Sequence, residues 1–257
     1  HQIGMVRDEL VKYSVEAGVI DEFELPVVTE TYDGWLSDID AFALKPEHVR
    51  AALEAASSGS VAEGNVGGGT GTICHEFKGG IGTSSRVVDL AMDSYTVGVL
   101  VQANYGVRSD LRFDGVPVGR RIGYDRVPAP WPAQERDGSI IVVIATDAPL
   151  LSDQCRRLAR RATVGLARAG GTGRDGSGDI FLAFASGNDL PSKGPGHYEL
   201  KMLRHDMLNK LFAAVADATE EAILNALCQA ETMTGFKDRV AHAVPVDELR
   251  RILEPPG

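Results

Sequence analysis

The chain has 257 residues, of which 44% are hydrophobic, and a formal net charge of −10 at pH 7. This composition is typical of a globular protein with one large domain or two small ones. The acidic balance disfavours nucleic acid and anionic membrane surfaces as partners, because both would repel the chain. No apolar run reaches the roughly 18 residues that a transmembrane helix needs, and no signal peptide is recognisable.

The cysteines and histidines do not form the spacings of a metal site. Cys74, Cys155 and Cys228 are an odd, widely spaced set without a CxxC pair, which predicts neither a disulfide framework nor a zinc site. The six histidines show no HxH or HxxxH spacing. We therefore expect no metal or organic cofactor. Idle thiols in a reducing compartment favour a cytoplasmic location, with the periplasm as the alternative.

The first half of the chain predicts short strands, one helix and glycine-rich turns. Pro46 suits the first turn of a helix, and Ser58-Gly59 suits the stop after it. The predicted segments are strands and turns over 1–43, a helix over 45–56, a glycine-rich stretch over 59–87, a β-branched strand over 93–102 and a long exposed loop over 114–138.

The glycine-rich run at 64–72 has the composition of a phosphate-binding loop. It fits neither the dinucleotide fingerprint nor the lysine-containing P-loop pattern. A glycine-lined groove, where the backbone approaches a substrate or another segment, is the better interpretation.

The second half opens with the strongest strand signal of the chain, the apolar run over 139–145. A helix is expected over 152–168, with four arginines on a solvated face or at a subunit interface (156, 157, 160 and 161). The remaining predicted segments are a glycine-rich turn over 170–178, a strand over 179–185 and a long helix over 207–232. Mixed strands and long helices predict a layered α/β or α+β domain.

The junction between Gly138 and Ser139 has the features of a self-cleavage site. Gly138 lacks a Cβ, so the Ser139 hydroxyl can approach its carbonyl closely. An N→O acyl shift followed by hydrolysis would leave Ser139 as a new N-terminus, with its own α-amine as a nearby base. An ordinary boundary between a loop and a strand has the same pattern, so the junction alone does not decide.

Five further polar residues are candidates for binding or catalysis. Asn104 ends an apolar strand and could donate its amide to an oxyanion. Ser177 and Asp179 are two apart, so on a strand they share one face. Tyr32 could donate a phenolic hydrogen bond, and Glu30 could hold a substrate ammonium. Taken singly, each is also an ordinary turn, cap or surface residue.

Together, however, these segments resemble a single family. The segments that carry the resemblance, in chain order, are 30–36, 63–72, 101–106, 138–151 and 176–184. The family comprises the self-processing aminopeptidases of the L-aminopeptidase/D-amidase/D-esterase (DmpA) type and the β-aminopeptidases. The resemblance covers essentially the whole chain.

The resemblance implies an α+β fold, a four-layer αββα sandwich similar to N-terminal-nucleophile hydrolases but with different strand connectivity. It implies a single αββα domain over 1–257 that is N-terminally incomplete relative to the family. Self-cleavage between Gly138 and Ser139 would give an α chain, 1–138, and a β chain, 139–257, that stay associated. A homo-oligomer, a tetramer of αβ units, is also implied.

The resemblance further assigns roles to the candidate residues. Ser139 would be the nucleophile, Asn104 the oxyanion amide and Tyr32 the phenol that assists it. Ser177 and Asp179 would be the serine–acid pair that supports proton transfer near the new α-amine. Some relatives carry Glu at the position of Asp179. Glu30 would anchor the free amino group of the substrate.

The expected activity is release of N-terminal L-, D- or β-amino acids from short peptides, amides or esters through an acyl-enzyme on Ser139. Two alternatives remain open. One is an acyl transferase of the ornithine-acetyltransferase type, which uses a Thr nucleophile, so that Ser139 counts against it. The other is a non-catalytic binding protein on the same fold. The joint presence of the five catalytic candidates counts against it: Ser139, Asn104, Tyr32, Ser177 and Asp179.

Overall fold

The computed structural model describes residues 1–20, 23–90, 93–131, 138–191 and 196–254. The helices are α1 Ile3–Glu16, α2 Pro46–Glu54, α3 Ser152–Ala159, α4 Ala162–Arg168, α5 Leu208–Cys228 and α6 Val246–Leu253. The strands are β1 Ile73–Cys74, β2 Phe77–Lys78, β3 Gly80–Leu90, β4 Asp93–Asn104, β5 Ser139–Thr146, β6 Ile180–Ala185, β7 Met233–Thr234 and β8 Val240–Ala241.

One four-stranded sheet, in the order β3-β4-β5-β6, forms the centre of the described structure. Strands β3, β4 and β5 are antiparallel neighbours, whereas β5 and β6 are parallel. A parallel pair needs a crossover connection, and α3 and α4 supply it. Two small two-stranded sheets, β1-β2 and β7-β8, lie beside this sheet.

The core lies between one face of the sheet and α5. Alternation along β4 and β5 sends buried valines and isoleucines to this face: Val97, Val99, Val101, Ile140, Val142 and Ile144. Helix α5 packs on β3 and β4. The helix approaches so closely that a Cβ on Gly82 would lie 1.9 Å from the carbonyl oxygen of Ala222. Glycine at this position is therefore a packing requirement.

The opposite face of the sheet exposes apolar side chains. Ile180, Leu182 and Phe184 of β6, together with Val87 of β3, are exposed. In the predicted four-layer αββα sandwich, a second sheet packs against an apolar face of this kind. The described residues supply one main sheet and the helices on its other side, and this arrangement is of the predicted α+β class.

The strands predicted over 1–43 are wrong, because the segment contains helix α1 and its described residues form no strand, whereas turns do occur at 17–18 and 34–36. The run from Met5 to Ala17 has no Gly or Pro and several good helix formers. Helix α1 also packs on α2. Arg50 of α2 pairs with Glu9 and Glu16 of α1, the latter at 2.8 Å. A local sequence pattern does not contain this contact, because it joins residues that are distant in sequence.

The helix predicted over 152–168 is two helices, α3 and α4, that meet at Arg160 and Arg161. The hydroxyl of Thr163 donates to the Arg160 carbonyl at 2.7 Å, as a turn residue would. Two of the four arginines are not simply solvated. The guanidinium groups of Arg157 and Arg161 lie 5.3 and 4.3 Å from the ring centroid of Phe212.

The glycine-rich stretch and the predicted exposed loop both contain strands or buried residues. The glycine-rich stretch over 59–87 includes β1, β2 and most of β3. The loop predicted as exposed over 114–138 buries Val118, Ile122 and Val127, although its residues 132–137 lie outside the described ranges.

The remaining predicted elements are confirmed within a few residues: the helix over 45–56, the strands near 93–102, 139–145 and 179–185, and the long helix over 207–232. In the part of the chain that the structure describes, no helix is long and apolar enough to cross a bilayer.

Candidate active site

The candidate nucleophile and the candidate oxyanion amide are direct neighbours in the sheet. Asn104 is the last residue of β4 and Ser139 is the first of β5, and the register pairs them. Both are buried, with 8% and 9% of their surface exposed. The two residues are 35 positions apart in sequence, so antiparallel pairing of the strands is what brings them together.

Gly138 is wedged against the end of β4. A Cβ at this position would lie 2.3 Å from the Asn104 carbonyl oxygen and 2.6 Å from the Tyr105 Cα. No side chain fits there without displacing backbone atoms. The glycine before Ser139 is therefore required by the fold as well as by the proposed chemistry.

The turn before β6 brings Ser177 and Asp179 to the same place. The Ser177 hydroxyl donates to the Asp179 carboxylate at 2.6 Å. Gly178, between them, donates its N–H to the Gly138 carbonyl at 3.1 Å. A Cβ built on Gly178 would be 3.7 Å from the Ser139 Cβ. The serine–acid pair precedes the strand rather than lying on it, but it flanks Ser139.

The side-chain amide of Asn104 is fixed at both ends. Its Oδ1 accepts the Ile73 N–H at 2.8 Å, and its Nδ2 donates to the Tyr32 carbonyl at 2.8 Å. An amide nitrogen carries two hydrogens, so one N–H remains for an oxyanion. Asn104, Gly138 and Tyr32 line a common cleft.

Tyr32 lies at the rim of this cleft. Its side chain is 59% exposed, and its hydroxyl would be 2.7 Å from a Cβ on Gly34, so the ring lies over that glycine. Trp35 and Trp131, whose rings meet edge to face at 5.8 Å, form an aromatic wall of the same cleft. This wall was not foreseen from the sequence.

Glu30 is not brought to the cleft. It is exposed, and it is not among the residues that line either cleft beside Gly138. In contrast, Ser177 and Asp179 line a second small cleft that shares Gly138 and Tyr105 with the first. The structure thus groups Ser139, Asn104, Ser177 and Asp179, with Tyr32 at the edge and Glu30 outside.

Buried ionisable groups surround this centre, and sequence reasoning singled out none of them. Burial lowers the pKa of Lys78 to about 7. Burial also lowers the pKa of His75 to about 4, and it raises that of the Tyr105 phenol well above its usual value. A lone lysine within the glycine-rich stretch carries no local signal of burial, so only the fold reveals it.

The chain matches the model of peptidase family S58 over residues 1–241. The chain belongs to peptidase family S58. It is 46% identical to the β-peptidyl aminopeptidase BapA of Sphingosinicella microcystinivorans, over 99% of this chain and 67% of that protein. The chain thus spans about two thirds of the length of this curated relative.

Two solved structures are similar throughout. A β-aminopeptidase of a Burkholderia species matches with a TM-score of 0.90 and 50% identity, over all of this chain and 73% of that one. The L-aminopeptidase D-Ala-esterase/amidase of Ochrobactrum anthropi matches with a TM-score of 0.90 and 42% identity, over 98% and 70%. The latter is described as a prototype of the serine aminopeptidases and a variant of the Ntn-hydrolase fold.

These findings confirm the family predicted from the five sequence segments and its Ntn-hydrolase type of fold. They also confirm that the chain is an aminopeptidase of the serine type at the level of the family. The roles of its individual residues, the division at Gly138-Ser139 and the assembly of the chains remain predictions.

Proposed function

We propose that this protein cleaves itself between Gly138 and Ser139 and then acts as a β-aminopeptidase with Ser139 as the nucleophile. One observation carries the proposal: Ser139 lies directly opposite Asn104 in the sheet. Its preceding carbonyl is already held by the Gly178 N–H. These contacts support the proposal, because the proposed nucleophile, electrophile and hydrogen-bond donors are neighbours in the intact chain.

Self-cleavage begins at the Gly138 carbonyl carbon. The Ser139 hydroxyl oxygen loses its proton and bonds to this carbon, the C–N bond breaks, and the released nitrogen takes up that proton and becomes the α-amine of Ser139. The Gly178 N–H supports the negative charge that develops on the Gly138 oxygen, in the manner of an oxyanion hole. Water then hydrolyses the ester, which leaves a carboxylate on Gly138 and a free hydroxyl on Ser139.

Substrate turnover uses the groups that cleavage releases. A free α-amine has a reference pKa of about 7.7–8.0, so at neutral pH a useful fraction can accept the proton of the Ser139 hydroxyl. The free N–H of Asn104 stabilises the tetrahedral intermediate. Ser177, held by Asp179, carries the proton between the α-amine and the leaving amine. The acyl-enzyme on Ser139 is then hydrolysed.

The β-amino acid preference rests on the relatives. Both BapA of Sphingosinicella microcystinivorans and the Burkholderia enzyme bear names that specify β-peptides or β-amino acids, at 46% and 50% identity. The Ochrobactrum anthropi protein, named for L-amino acids and D-Ala esters and amides, is 42% identical. Substrates with an N-terminal L- or D-residue are therefore the second candidate class.

The test starts with the wild-type protein and Ser139→Ala. We expect the wild type to give two chains, one beginning Ser-Ile-Ile-Val, and to hydrolyse a β-homoalanyl nitroanilide. Ser139→Ala should remain one chain and show no turnover. The substrate panel also includes L-Ala nitroanilide, D-Ala amide, and an acyl donor with ornithine for the acyltransferase alternative. A wild type that is cleaved but hydrolyses none of the aminoacyl substrates would reject the proposed activity.

A further inference from the structure

Lys78 is a buried lysine whose amine donates hydrogen bonds to the backbone that supports the candidate active site. Its side chain has no exposed surface. Its Nζ donates to three carbonyl oxygens, those of Gly69 at 2.9 Å, Thr72 at 3.0 Å and Gly79 at 2.7 Å. An ammonium has three N–H groups, so the three carbonyls match its hydrogen-bonding capacity.

One of these carbonyls belongs to the peptide that holds Asn104. The peptide joining Thr72 and Ile73 accepts from Lys78 at its oxygen and donates from its N–H to the Asn104 Oδ1 at 2.8 Å. The Nδ2 of the same side-chain amide donates to the Tyr32 carbonyl, and Asn104 lines the cleft. A continuous chain of hydrogen bonds thus runs from the buried amine to the oxyanion donor.

We infer that Lys78 is a positioning residue for the reaction: through the Thr72–Ile73 peptide it orients and polarises the Asn104 amide. A positive charge at the peptide oxygen draws electron density from the N–H and makes it a stronger donor. That N–H in turn polarises the Asn104 carbonyl, so the Nδ2 hydrogens become better donors to an oxyanion. Hydrogen bonds in a chain strengthen one another in this way when water is excluded.

The groups around Lys78 are compatible with this role. Asp33 favours the charged amine. The Cys74 thiol stays neutral at working pH, because burial raises its pKa to about 12. Among the residues that the structure describes, the hydrogen bonds of the Lys78 amine are those to the carbonyls of Gly69, Thr72 and Gly79. The inference rests on the proposed role of Asn104, and it concerns the strength of that donor.

The kinetic test compares processed wild type with Lys78→Met, which keeps the length and loses the charge and the donors. We expect kcat to fall about tenfold or more, less than the loss of a whole oxyanion donor, with KM within twofold of wild type. Val88→Ala is the control for lost stability, since Val88 is a buried residue of the same sheet. Val88 pairs with Tyr95, near the end of the β3–β4 pair that is remote from Asn104 and Ser139. A Lys78→Met kcat within twofold of this control would overturn the inference.

A second measurement, by NMR, needs neither activity nor a variant, and a pH series of the kinetic test complements it. With 15N-labelled isoleucine and lysine, the wild-type Ile73 amide proton should shift as the Lys78 amine titrates near pH 7. The ratio of wild-type to Lys78→Met kcat should also fall as pH rises, because the wild-type amine loses its charge. An Ile73 amide that does not respond to Lys78 overturns the inference, even if Lys78→Met does not fold. A wild type without turnover would instead refute the proposed function, and the Ile73 titration would still decide the role of Lys78.

Discussion

At the scale of single residues, backbone contacts hold the groups of the candidate active site in fixed positions. Asn104 is held by Ile73 and by the Tyr32 carbonyl, and Gly138 has no space for a side chain. Such fixed positions allow hydrogen-bond donors to be oriented before the reaction begins, which is the main requirement of an oxyanion hole. Substitutions here should therefore affect chemistry and local geometry together.

Gly138→Ala is expected to slow self-cleavage at least tenfold. The added methyl group would lie 2.3 Å from the Asn104 carbonyl oxygen, so the Gly138 carbonyl must move away from Ser139 or from Gly178. The fraction of cleaved chain is measured over time by intact mass. Gly98→Ala is the matched control, because its Cβ would meet its nearest neighbour only at 4.0 Å. Equal cleavage rates in the two variants would contradict the prediction.

The buried imidazole of His75 should make the protein sensitive to acid. Burial lowers its pKa from 6.5 to about 4, against the opposing effect of its hydrogen bond with the Val107 carbonyl at 2.9 Å. Between pH 6.5 and 4 the unfolded chain binds a proton that the folded chain does not, so stability falls as pH falls. The loss from this residue between pH 7 and 4 is about 3 kcal/mol.

The measurement is urea unfolding of wild type and His75→Gln at pH 7 and pH 4. The glutamine can keep a hydrogen bond to Val107 but cannot be protonated. We expect the stability difference between the two proteins to change in favour of His75→Gln at pH 4. A difference independent of pH would show that His75 is not buried in its neutral form.

At the scale of elements, the position of α5 decides whether the sheet can form its core. Backbone atoms of Ala222 and Ala226 lie within 2.6 Å of the place where a Cβ on Gly82 would be. Close approach of a helix to a sheet is possible because the intervening position has no side chain. Helix α5 thus packs closely on β3 and on β4, the strand that carries Asn104.

Gly82→Ala should lower the free energy of unfolding by about 1–3 kcal/mol or more, since it forces α5 away from β3. Denaturant unfolding measures this change. The same Gly98→Ala variant serves as the control, with an expected change within about 0.5 kcal/mol. A Gly82→Ala protein as stable as the control would show that α5 does not rest on this glycine.

At the scale of the whole molecule, the segments before and after the proposed cleavage point contribute to the same hydrophobic core. Strands β3 and β4 precede Gly138, whereas β5, β6 and α5 follow it. The pairing of β4 with β5, and the packing of α5 on β3 and β4, would link the two products after cleavage. Association of the products is therefore expected without any further contact.

The two chains of the processed protein should co-elute in size-exclusion chromatography and separate only under denaturing conditions. The physical reason is the buried apolar face that they share, which separation would expose to water. Light scattering on the same column reports whether the predicted tetramer of αβ units forms. Elution of the 1–138 and 139–257 chains as separate species in native buffer would refute the expected association.

Local sequence patterns were sufficient to predict the elements with strong periodicity, and five ordered segments were sufficient to predict the family. The β-branched runs of β4 and β5 and the length of α5 are local signals, because buried strands and amphipathic helices have their own periodicities. Local patterns failed at α1, whose ion pairs with α2 come from a distant segment, and at the break between α3 and α4. The sequence also identified Ser139, Asn104, Ser177 and Asp179 as candidates.

Which of these candidates lie side by side depends on the packing of the folded chain. The strand register pairs Asn104 with Ser139, and the Gly178 N–H donates to the Gly138 carbonyl. Glu30 lies exposed at the surface. The tertiary structure also revealed the buried amine of Lys78 behind Asn104. Hydrogen bonding and burial between residues distant in sequence depend on the packing of whole elements, and a linear pattern contains only the preferences of neighbours.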